Sequence, residues 1–170
     1  MTITQITQIT QITQKKKYIE MYTDGSFIKN KDGVKCGYGV YFPNKEYETI
    51  SKKFTHEPLT NQRAELYAIL KGLLQIYKSN KYENIIVYTD SMYSINSMTI
   101  WIKQWKQNGW KTAGNKPVLN QDIIMKLDKV LTMHKGEILF EHVKAHTSLK
   151  DKHSINNDIV DKLAKFGANS

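Results

Sequence analysis

The segment YTDGSF (residues 22–27) has a close copy later in the chain, YTDSMY (residues 88–93). Each follows a run of β-forming residues and places an aspartate, Asp24 or Asp90, where we expect the strand to end. If the two strands are neighbours in one sheet, their carboxylates lie side by side. Paired carboxylates repel each other unless a cation joins them, and hard oxygen ligands suit Mg²⁺. The two segments therefore predict a cation site at one edge of a sheet.

The pattern around these segments predicts a mixed α/β domain. Three β-type runs separated by turns predict an antiparallel meander. The apolar residues that follow have helical spacing and predict a helix, which Thr60 or Asn61 can cap. The order β-β-β-α-β-α-α-α-β-α predicts one mixed sheet of five strands with helices packed on it. The predicted strands are 18–24, 36–42, 46–54, 84–90 and 137–143, and the predicted helices are 60–78, 91–99, 101–112, 120–133 and 156–168.

The chain has 170 residues, and its 25 Lys and Arg against 16 Asp and Glu leave a net charge of +9. A surplus of this size favours a polyanionic partner such as nucleic acid over a merely soluble, lysine-rich surface. The single cysteine, Cys36, excludes an intramolecular disulfide and fits a reducing, intracellular compartment, cytoplasmic or nuclear. No apolar run is long enough to span a bilayer, so we expect no membrane association.

The N-terminal segment differs in composition from the rest of the chain. The triplet Ile-Thr-Gln repeats over residues 3–14, and three lysines follow at 15–17. A period of three matches neither a strand nor an α-helix, so residues 1–17 are interpreted as a low-complexity, disordered tail. No linker divides the remainder, and residues 18–170 are expected to form one catalytic domain.

Two further acids are expected near the same sheet edge. Glu65 lies in the first turns of the first helix, and Asp161 lies in the last helix, one turn after Asp158. Any one of these acids is most simply a surface charge, a helix cap or an ion-pair partner. Four acids in these positions favour a metal site over four unrelated charges. His146, in a polar loop before the last helix, is a candidate catalytic auxiliary rather than an exposed histidine without a task.

Six motifs follow one another along the chain: YTDGS, TNQRAEL, YTDSMYSIN, WIKQWKQNGWKT, VKAHT and NNDIVDKLA. With these motifs in the family's order, the chain from about residue 18 to residue 168 resembles ribonuclease H of the type 1 cellular kind. The resemblance implies the ribonuclease H-like fold, an α/β fold with a five-stranded mixed sheet, flanking helices and a basic protrusion. It implies an endonuclease that hydrolyses the RNA strand of RNA–DNA hybrids with two Mg²⁺ ions, or Mn²⁺ in their place, leaving 5′-phosphate and 3′-hydroxyl ends.

The resemblance also implies roles for individual residues. The catalytic acids and metal ligands would be Asp24, Glu65, Asp90 and Asp161, with His146 helping proton transfer or release of product and metal. The motif NNDIVDKLA offers two aspartates, and the family pattern aligns Asp161 with the metal ligand. Asp158 is then an auxiliary charge near the site or a residue at the start of the helix.

Residues 101–116 carry all three tryptophans of the chain among lysines, a composition that suits a nucleic-acid groove. In the resembled family this segment is the basic protrusion, so we expect the domain to bind hybrid as a monomer, without an obligate partner subunit. Pro58 replaces a residue that is often basic, Ala113 replaces a serine, and Arg63 is expected to pair with an acid. The matching substrate-binding positions are Thr60, Asn61, Gln62, Asn96, Trp101, Trp105 and Asn120. Of these, the resemblance implies that Thr60 and Asn120 form a pocket for a phosphate of the DNA strand.

Three alternatives remain beside this interpretation. The first is another nuclease of the same fold, such as a junction resolvase, because a fold alone does not define an activity. The second is a non-catalytic domain that binds hybrids, which the complete set of acids argues against. The third is a segment of a reverse transcriptase polyprotein, and the initiator methionine favours a free-standing protein.

Overall fold

Five strands and five α-helices form in the residues that the structure describes, which are 16–79 and 83–170 of this computed structural model. The first fifteen residues of the predicted tail lie outside the described residues. The elements are β1 Tyr18–Asn30, β2 Gly33–Tyr41, β3 Ile50–Lys53, α1 Asn61–Lys78, β4 Asn84–Thr89, α2 Met92–Asn96, α3 Ile102–Gln107, α4 Gln121–Met133, β5 Ile138–His142 and α5 Lys152–Asn169. A π-helical turn, Ser97–Trp101, joins α2 to α3.

The strands form one sheet in the order β3-β2-β1-β4-β5. The hairpin strands β1, β2 and β3 pair antiparallel, whereas β4 pairs parallel with both β1 and β5. The antiparallel half uses short turns, and the parallel half needs the crossover helices that cover the sheet. The prediction of a five-stranded mixed sheet flanked by helices is therefore confirmed.

Three predicted strands have wrong bounds. The second was expected at 36–42, but β2 begins at Gly33, because its first residues pair with the end of β1. We expected β1 to end at Asp24, but β1 continues to Asn30, because its second half pairs with β2 from Asp24↔Gly39 to Asn30↔Gly33. Asp24 therefore lies within β1, two residues after Tyr22, the last residue of β1 that pairs with β4. The third strand covers only Ile50–Lys53 of the predicted 46–54. The residues before Ile50 do not join the sheet, because the Tyr47 side chain packs against Phe42 and the Tyr47 hydroxyl forms a hydrogen bond with Ser79 Oγ at 3.0 Å.

The sheet is covered on both faces, and β1 shows how the faces are divided. Side chains alternate along a strand. Met21 packs against Gly72 of α1, whereas the next residue, Tyr22, packs with Val160 of α5. By the same alternation Asp24 lies on the α5 face and Gly25 on the α1 face. No helix in the described residues has the length and apolar content needed to span a bilayer.

The contact between β2 and α5 depends on glycine. A Cβ added at Gly37 would lie 2.2 Å from the backbone nitrogen of Ala168 and 2.4 Å from the carbonyl oxygen of Ala164. These are backbone atoms of a helix, so they cannot give way without moving α5. Since α5 also carries Asp161, this close approach sets the distance between the helix and the acids on β1.

We expect Gly37→Ala to lower the free energy of unfolding by about 2 kcal/mol or more, because the added methyl group overpacks the interface between β2 and α5. The measurement is urea unfolding followed by circular dichroism. Gly114→Ala is the control, since its nearest neighbour would be 3.9 Å away. Equal stability of the two variants would contradict the close packing described here.

Candidate active site

Three carboxylates meet at one edge of the sheet. The parallel register pairs Tyr22 of β1 with Tyr88 of β4, so Asp24 and Asp90 each lie two residues beyond the same pair. Glu65 reaches the same point from α1. One oxygen atom from each of these three side chains lies within 4.8 Å of the other two. The predicted proximity of the strand-end acids is therefore observed in the structure.

Glu65 owes its position to the first turns of α1. Thr60 caps the helix, with its hydroxyl oxygen accepting a hydrogen bond from Arg63 N at 3.2 Å. A Cβ at Gly25 would lie 2.6 Å from the Glu65 backbone nitrogen, so only glycine lets α1 approach β1 this closely. Glu65 is 4% exposed, and its Oε2 atom is buried without a hydrogen-bond partner among the described residues.

Burial and neighbouring carboxylates raise the proton affinity of all three acids. Burial, and then the charge of Asp90, raise the pKa of Asp24 to about 7, against a hydrogen bond from Gly25 N at 2.9 Å that lowers it. Burial, and then the charges of Asp24 and Asp90, raise the pKa of Glu65 well above its ordinary value. Burial also raises the pKa of Asp90, which Asn157 and His146 partly oppose. The cluster therefore carries an unbalanced negative charge when all three groups are ionised.

A divalent cation fits this cluster. The donors are hard carboxylate oxygens, which are the ligands preferred by Mg²⁺ and Ca²⁺. The buried Glu65 Oε2 has no partner within the chain that the structure describes, and such atoms in native proteins usually have one. A bound cation would satisfy this oxygen and remove the repulsion between the acids.

Asp161 and His146 lie on the same cleft, which has a volume of about 230 Å³ and is also lined by Asp24, Glu65 and Asp90. The Asp161 side chain is outside the group of three and accepts a hydrogen bond from Lys165 Nζ at 2.6 Å. The exposed His146 side chain comes from the loop between β5 and α5, at a backbone φ of 49°.

Asp158 lies farther from the acids. It is exposed and pairs with Lys162 at 2.8 Å. It does not start the helix, as one alternative had it, because α5 begins at Lys152 and is capped by Asp151. With His146 and Asp161 it lines a smaller neighbouring cleft of about 30 Å³.

The predicted substrate-binding residues fall into two groups. Asn61 lines the cleft of the acids, Gln62 is exposed next to it, and Asn96 is half-buried at the end of α2. Thr60 and Asn120 instead meet around Arg63, which contacts the hydroxyl oxygen of one and the amide oxygen of the other. Arg63 forms an ion pair with Asp122 at 2.7 Å, as expected from the sequence.

The tryptophan segment forms an aromatic row. Trp101 and Trp105 have ring centroids 5.9 Å apart, and Tyr93 lies 6.1 Å from Trp101. Trp101 is 40% exposed, whereas Trp105 and Trp110 are half-buried against the core. Trp110 anchors the segment through a hydrogen bond from its backbone nitrogen to Trp105 O at 2.7 Å.

Sequence reasoning missed several residues of the site. Gly25 sets the approach of α1, and Lys165 pairs with Asp161. Asn157 is buried, lowers the pKa of Asp90, and has an Oδ1 atom without a hydrogen-bond partner in the part of the chain that the structure describes. Tyr93 was missed as well, although it closes the segment YTDSMY. The small residue after Asp24 was a usable signal for a close approach, whereas the ion pair of Lys165 depends on helix placement.

We expect Asp24→Asn to stabilise the metal-free protein. A carboxyl group whose pKa is about 7 when folded and about 3.8 when unfolded binds its proton more tightly in the folded state. The free energy of unfolding therefore falls as pH rises between about 4 and 7. In EDTA at pH 8 the variant should gain about 2–4 kcal/mol, with a smaller gain at pH 5.

Urea unfolding at the two pH values measures this gain, and Asp158→Asn is the control because Asp158 is exposed and paired. Added Mg²⁺ should stabilise the wild type more than the Asp24→Asn variant, since a ligand of the folded state adds stability by mass action. An unchanged or lower stability of Asp24→Asn at pH 8 would show that the acids do not repel one another.

Comparison with known proteins supports the interpretation of the fold. The sequence pattern of the RNase H family matches residues 16–169. Ribonuclease HI of Haemophilus influenzae is 38% identical over 153 residues, covering 89% of this chain and 90% of that protein. Ribonuclease H1 of Mus musculus is 34% identical over 149 residues, covering 87% of this chain and 49% of that protein.

The chain spans about half the length of the mouse relative and of ribonuclease H of Schizosaccharomyces pombe. The solution structure of the PFV RNase H domain superposes with a TM-score of 0.72 at 27% identity, covering 91% of this chain and 96% of that domain. The family pattern covers nearly all of the described residues, and the bacterial relative is matched over most of its length. The chain belongs to the RNase H family.

Proposed function

We propose that this chain is an endoribonuclease that hydrolyses the RNA strand of RNA–DNA hybrids. The observation that carries the proposal is the meeting of Asp24, Glu65 and Asp90 at one sheet edge, with a buried Glu65 oxygen that lacks a partner in the described residues. Family membership and relatives named ribonuclease H support the substrate. The net charge of +9 supports a polyanionic partner.

The metal ligands in this proposal are Asp24, Glu65, Asp90 and Asp161, and they would hold two Mg²⁺ ions, which Mn²⁺ can replace. Bound there, the ions supply positive charge that lowers the pKa of water and offsets the charge developing on the phosphate. The products would be 5′-phosphate and 3′-hydroxyl ends. Asp161, which pairs with Lys165 in this structure, would give up that ion pair to hold the metal, and its position on the same cleft supports this role.

His146 is proposed as the residue that moves a proton. Its exposed imidazole lines the cleft, and its loop position lets it approach a bound phosphate. A ring nitrogen would carry a proton between the reacting oxygens and solvent and help product and metal leave. The imidazole acts beside the acids and does not replace them, so the reaction should continue slowly without it.

The substrate would lie across the cleft and the tryptophan segment. Asn61, Gln62 and Asn96 offer amides that can reach minor-groove edges and the 2′-hydroxyl groups that distinguish RNA from DNA. Trp101 and Trp105 offer rings on which sugars or bases of the DNA strand can pack. Because one chain provides both surfaces, we propose that it acts as a monomer. We also propose an intracellular compartment, which the single cysteine of the chain supports.

A non-catalytic domain that binds hybrids is the main competing function. Its ligand is negatively charged, so buried carboxylates facing that ligand would weaken binding. The raised pKa values of Asp24 and Glu65 also show that their ionisation opposes folding. A domain that only binds hybrids gains nothing from this loss of stability. A metal-dependent nuclease gains a set of carboxylates that can hold its metal ions.

The test of the proposal is cleavage of an end-labelled RNA that is hybridised to DNA, paired with RNA, or single-stranded. We expect cutting of the hybrid alone, with Mg²⁺ and not with EDTA, and no detectable cutting by Asp90→Asn. Circular dichroism of the variant controls for folding. Tight hybrid binding without cutting in Mg²⁺ or Mn²⁺ would contradict the proposal, and equal cutting of branched DNA would favour a resolvase.

His146→Ala should lower kcat on the hybrid by about 10²-fold without abolishing it, because general acid–base catalysis contributes on this scale. Leu149→Ala, an exposed change in the same loop, is the control and should be neutral. The measurements are kcat under multiple turnover, which includes product release, and the single-turnover rate, which isolates cleavage, both at saturating Mg²⁺ over pH 6–9. Wild-type values of both in His146→Ala at every pH would remove His146 from the mechanism.

A further inference from the structure

Arg63, the only arginine of the chain, is 3% exposed and lies in the first turn of α1. Its guanidinium donates to both carboxylate oxygens of Asp122, at 2.8 and 2.7 Å. It also donates to the backbone oxygens of His56, at 3.5 Å, and Glu57, at 3.4 Å. These contacts join the start of α1, the segment before it and the start of α4. At this degree of burial the guanidinium has no surface left for a ligand.

Two further contacts connect Arg63 to predicted substrate-binding residues. Its backbone nitrogen donates to Thr60 Oγ1 at 3.2 Å, and its guanidinium nitrogen lies 3.5 Å from Asn120 Oδ1. In both contacts the oxygen atom of the side chain is the acceptor: the hydroxyl oxygen of Thr60 and the amide oxygen of Asn120. A guanidinium has donors and no acceptor, so the Asn120 amide must turn its oxygen towards Arg63 and its nitrogen away.

The nitrogen side of the Asn120 amide has one partner. Its Nδ2 atom donates to Tyr93 Oη at 2.8 Å. Neither the second Nδ2 hydrogen nor the hydroxyl hydrogen of Thr60 has an acceptor in the ranges 16–79 and 83–170. The arrangement around Arg63 therefore leaves one donor on Asn120 and one on Thr60 available to an anionic oxygen.

We propose that Arg63 is a positioning residue that holds the Asn120 amide in one of its two orientations, so that the donors of Asn120 and Thr60 face a phosphate of the hybrid's DNA strand. The inference rests on the proposed function. Without Arg63 the amide can rotate by about 180° and turn its carbonyl oxygen to the phosphate, because the two ends of an amide are nearly equal in size. That orientation repels the phosphate.

The proposal differs from a purely structural role of the ion pair between Arg63 and Asp122. An ion pair that only stabilises the fold would affect binding of all hybrids alike. An orienting role affects one phosphate and leaves the others unchanged. Binding that is measured one phosphate at a time therefore separates the two roles.

The experiment uses hybrids with a single uncharged methylphosphonate at successive positions of the DNA strand. Affinity is measured by fluorescence anisotropy in EDTA, and kcat and KM are measured on the unmodified hybrid with Mg²⁺. The wild type should lose about tenfold in affinity at one position, the scale of a charge-assisted hydrogen bond. This position identifies the phosphate that the two donors face.

In Arg63→Lys the charge remains, but an ammonium group cannot hold both Asp122 oxygens and the Asn120 oxygen in place. The variant should bind the unmodified hybrid about tenfold more weakly, because its amide orientation is no longer fixed. Its sensitivity at the critical phosphate should fall below about twofold, with KM raised and kcat nearly unchanged.

Asp122→Asn is the matched control, since it breaks the same ion pair but leaves Arg63 facing Asn120. It should keep the tenfold sensitivity. Val130→Ala, a buried change on the same α4 helix, controls for lost stability and should also keep it. Asn120→Asp presents only acceptors at this position and should lose the sensitivity, which keeps the idea testable if Arg63→Lys does not fold.

Full sensitivity in Arg63→Lys, or in Asn120→Asp, would overturn the inference. If Arg63→Lys instead bound every hybrid more weakly by the same factor, whatever the position of the methylphosphonate, its effect would match that expected of Val130→Ala. Arg63 would then have only a structural role. A wild type that cleaves the hybrid but has no sensitive DNA phosphate would overturn the inference and leave the proposed function standing. A wild type that does not cleave the hybrid at all would instead remove the proposed function.

Discussion

The parallel pairing of β1 with β4 is the constraint on which the site depends. Its register places Tyr22 opposite Tyr88, and two residues later the chain carries an aspartate on each strand. Side chains alternate along a strand, so a shift of one residue would turn one carboxylate to the other face of the sheet. The helices α1 and α5 then add Glu65 and Asp161 from opposite faces. The geometry of the acids therefore follows from one register and two helix contacts.

Electrostatics opposes this arrangement, and packing imposes it. Burial and mutual repulsion raise the pKa values of Asp24 and Glu65, so ionisation of the cluster destabilises the metal-free fold. The approach of α1 at Gly25 and of α5 at Gly37 nevertheless holds the helices against the sheet. Perturbed carboxyl groups at a cleft are a usual feature of functional sites, because their ionisation is useful only with a ligand.

A continuous series of contacts links the helix of Glu65 to the tryptophan segment. Arg63 contacts Asn120, whose amide donates to Tyr93. The Tyr93 ring then contacts Trp101, which contacts Trp105. The surface proposed for the DNA strand is thereby attached to the helix that carries Glu65, a proposed metal ligand. In the proposed complex, this attachment would hold the two strands of a hybrid in fixed positions relative to the acids.

The order of elements, the mixed sheet and the proximity of Asp24 and Asp90 were predictable, because they follow from local hydrophobic periodicity and from where strands end. The bounds of β1 and β3 were not, because pairing with β2 extends one and the packing of Tyr47 shortens the other. The ion pair of Asp161 with Lys165 and the orientation of the Asn120 amide also escaped prediction. The sequence by itself determined which chemical groups are present and roughly which element carries each of them. Only the tertiary structure decided which groups share a cleft and which hydrogen bonds they use, because those contacts join residues that are far apart in the chain.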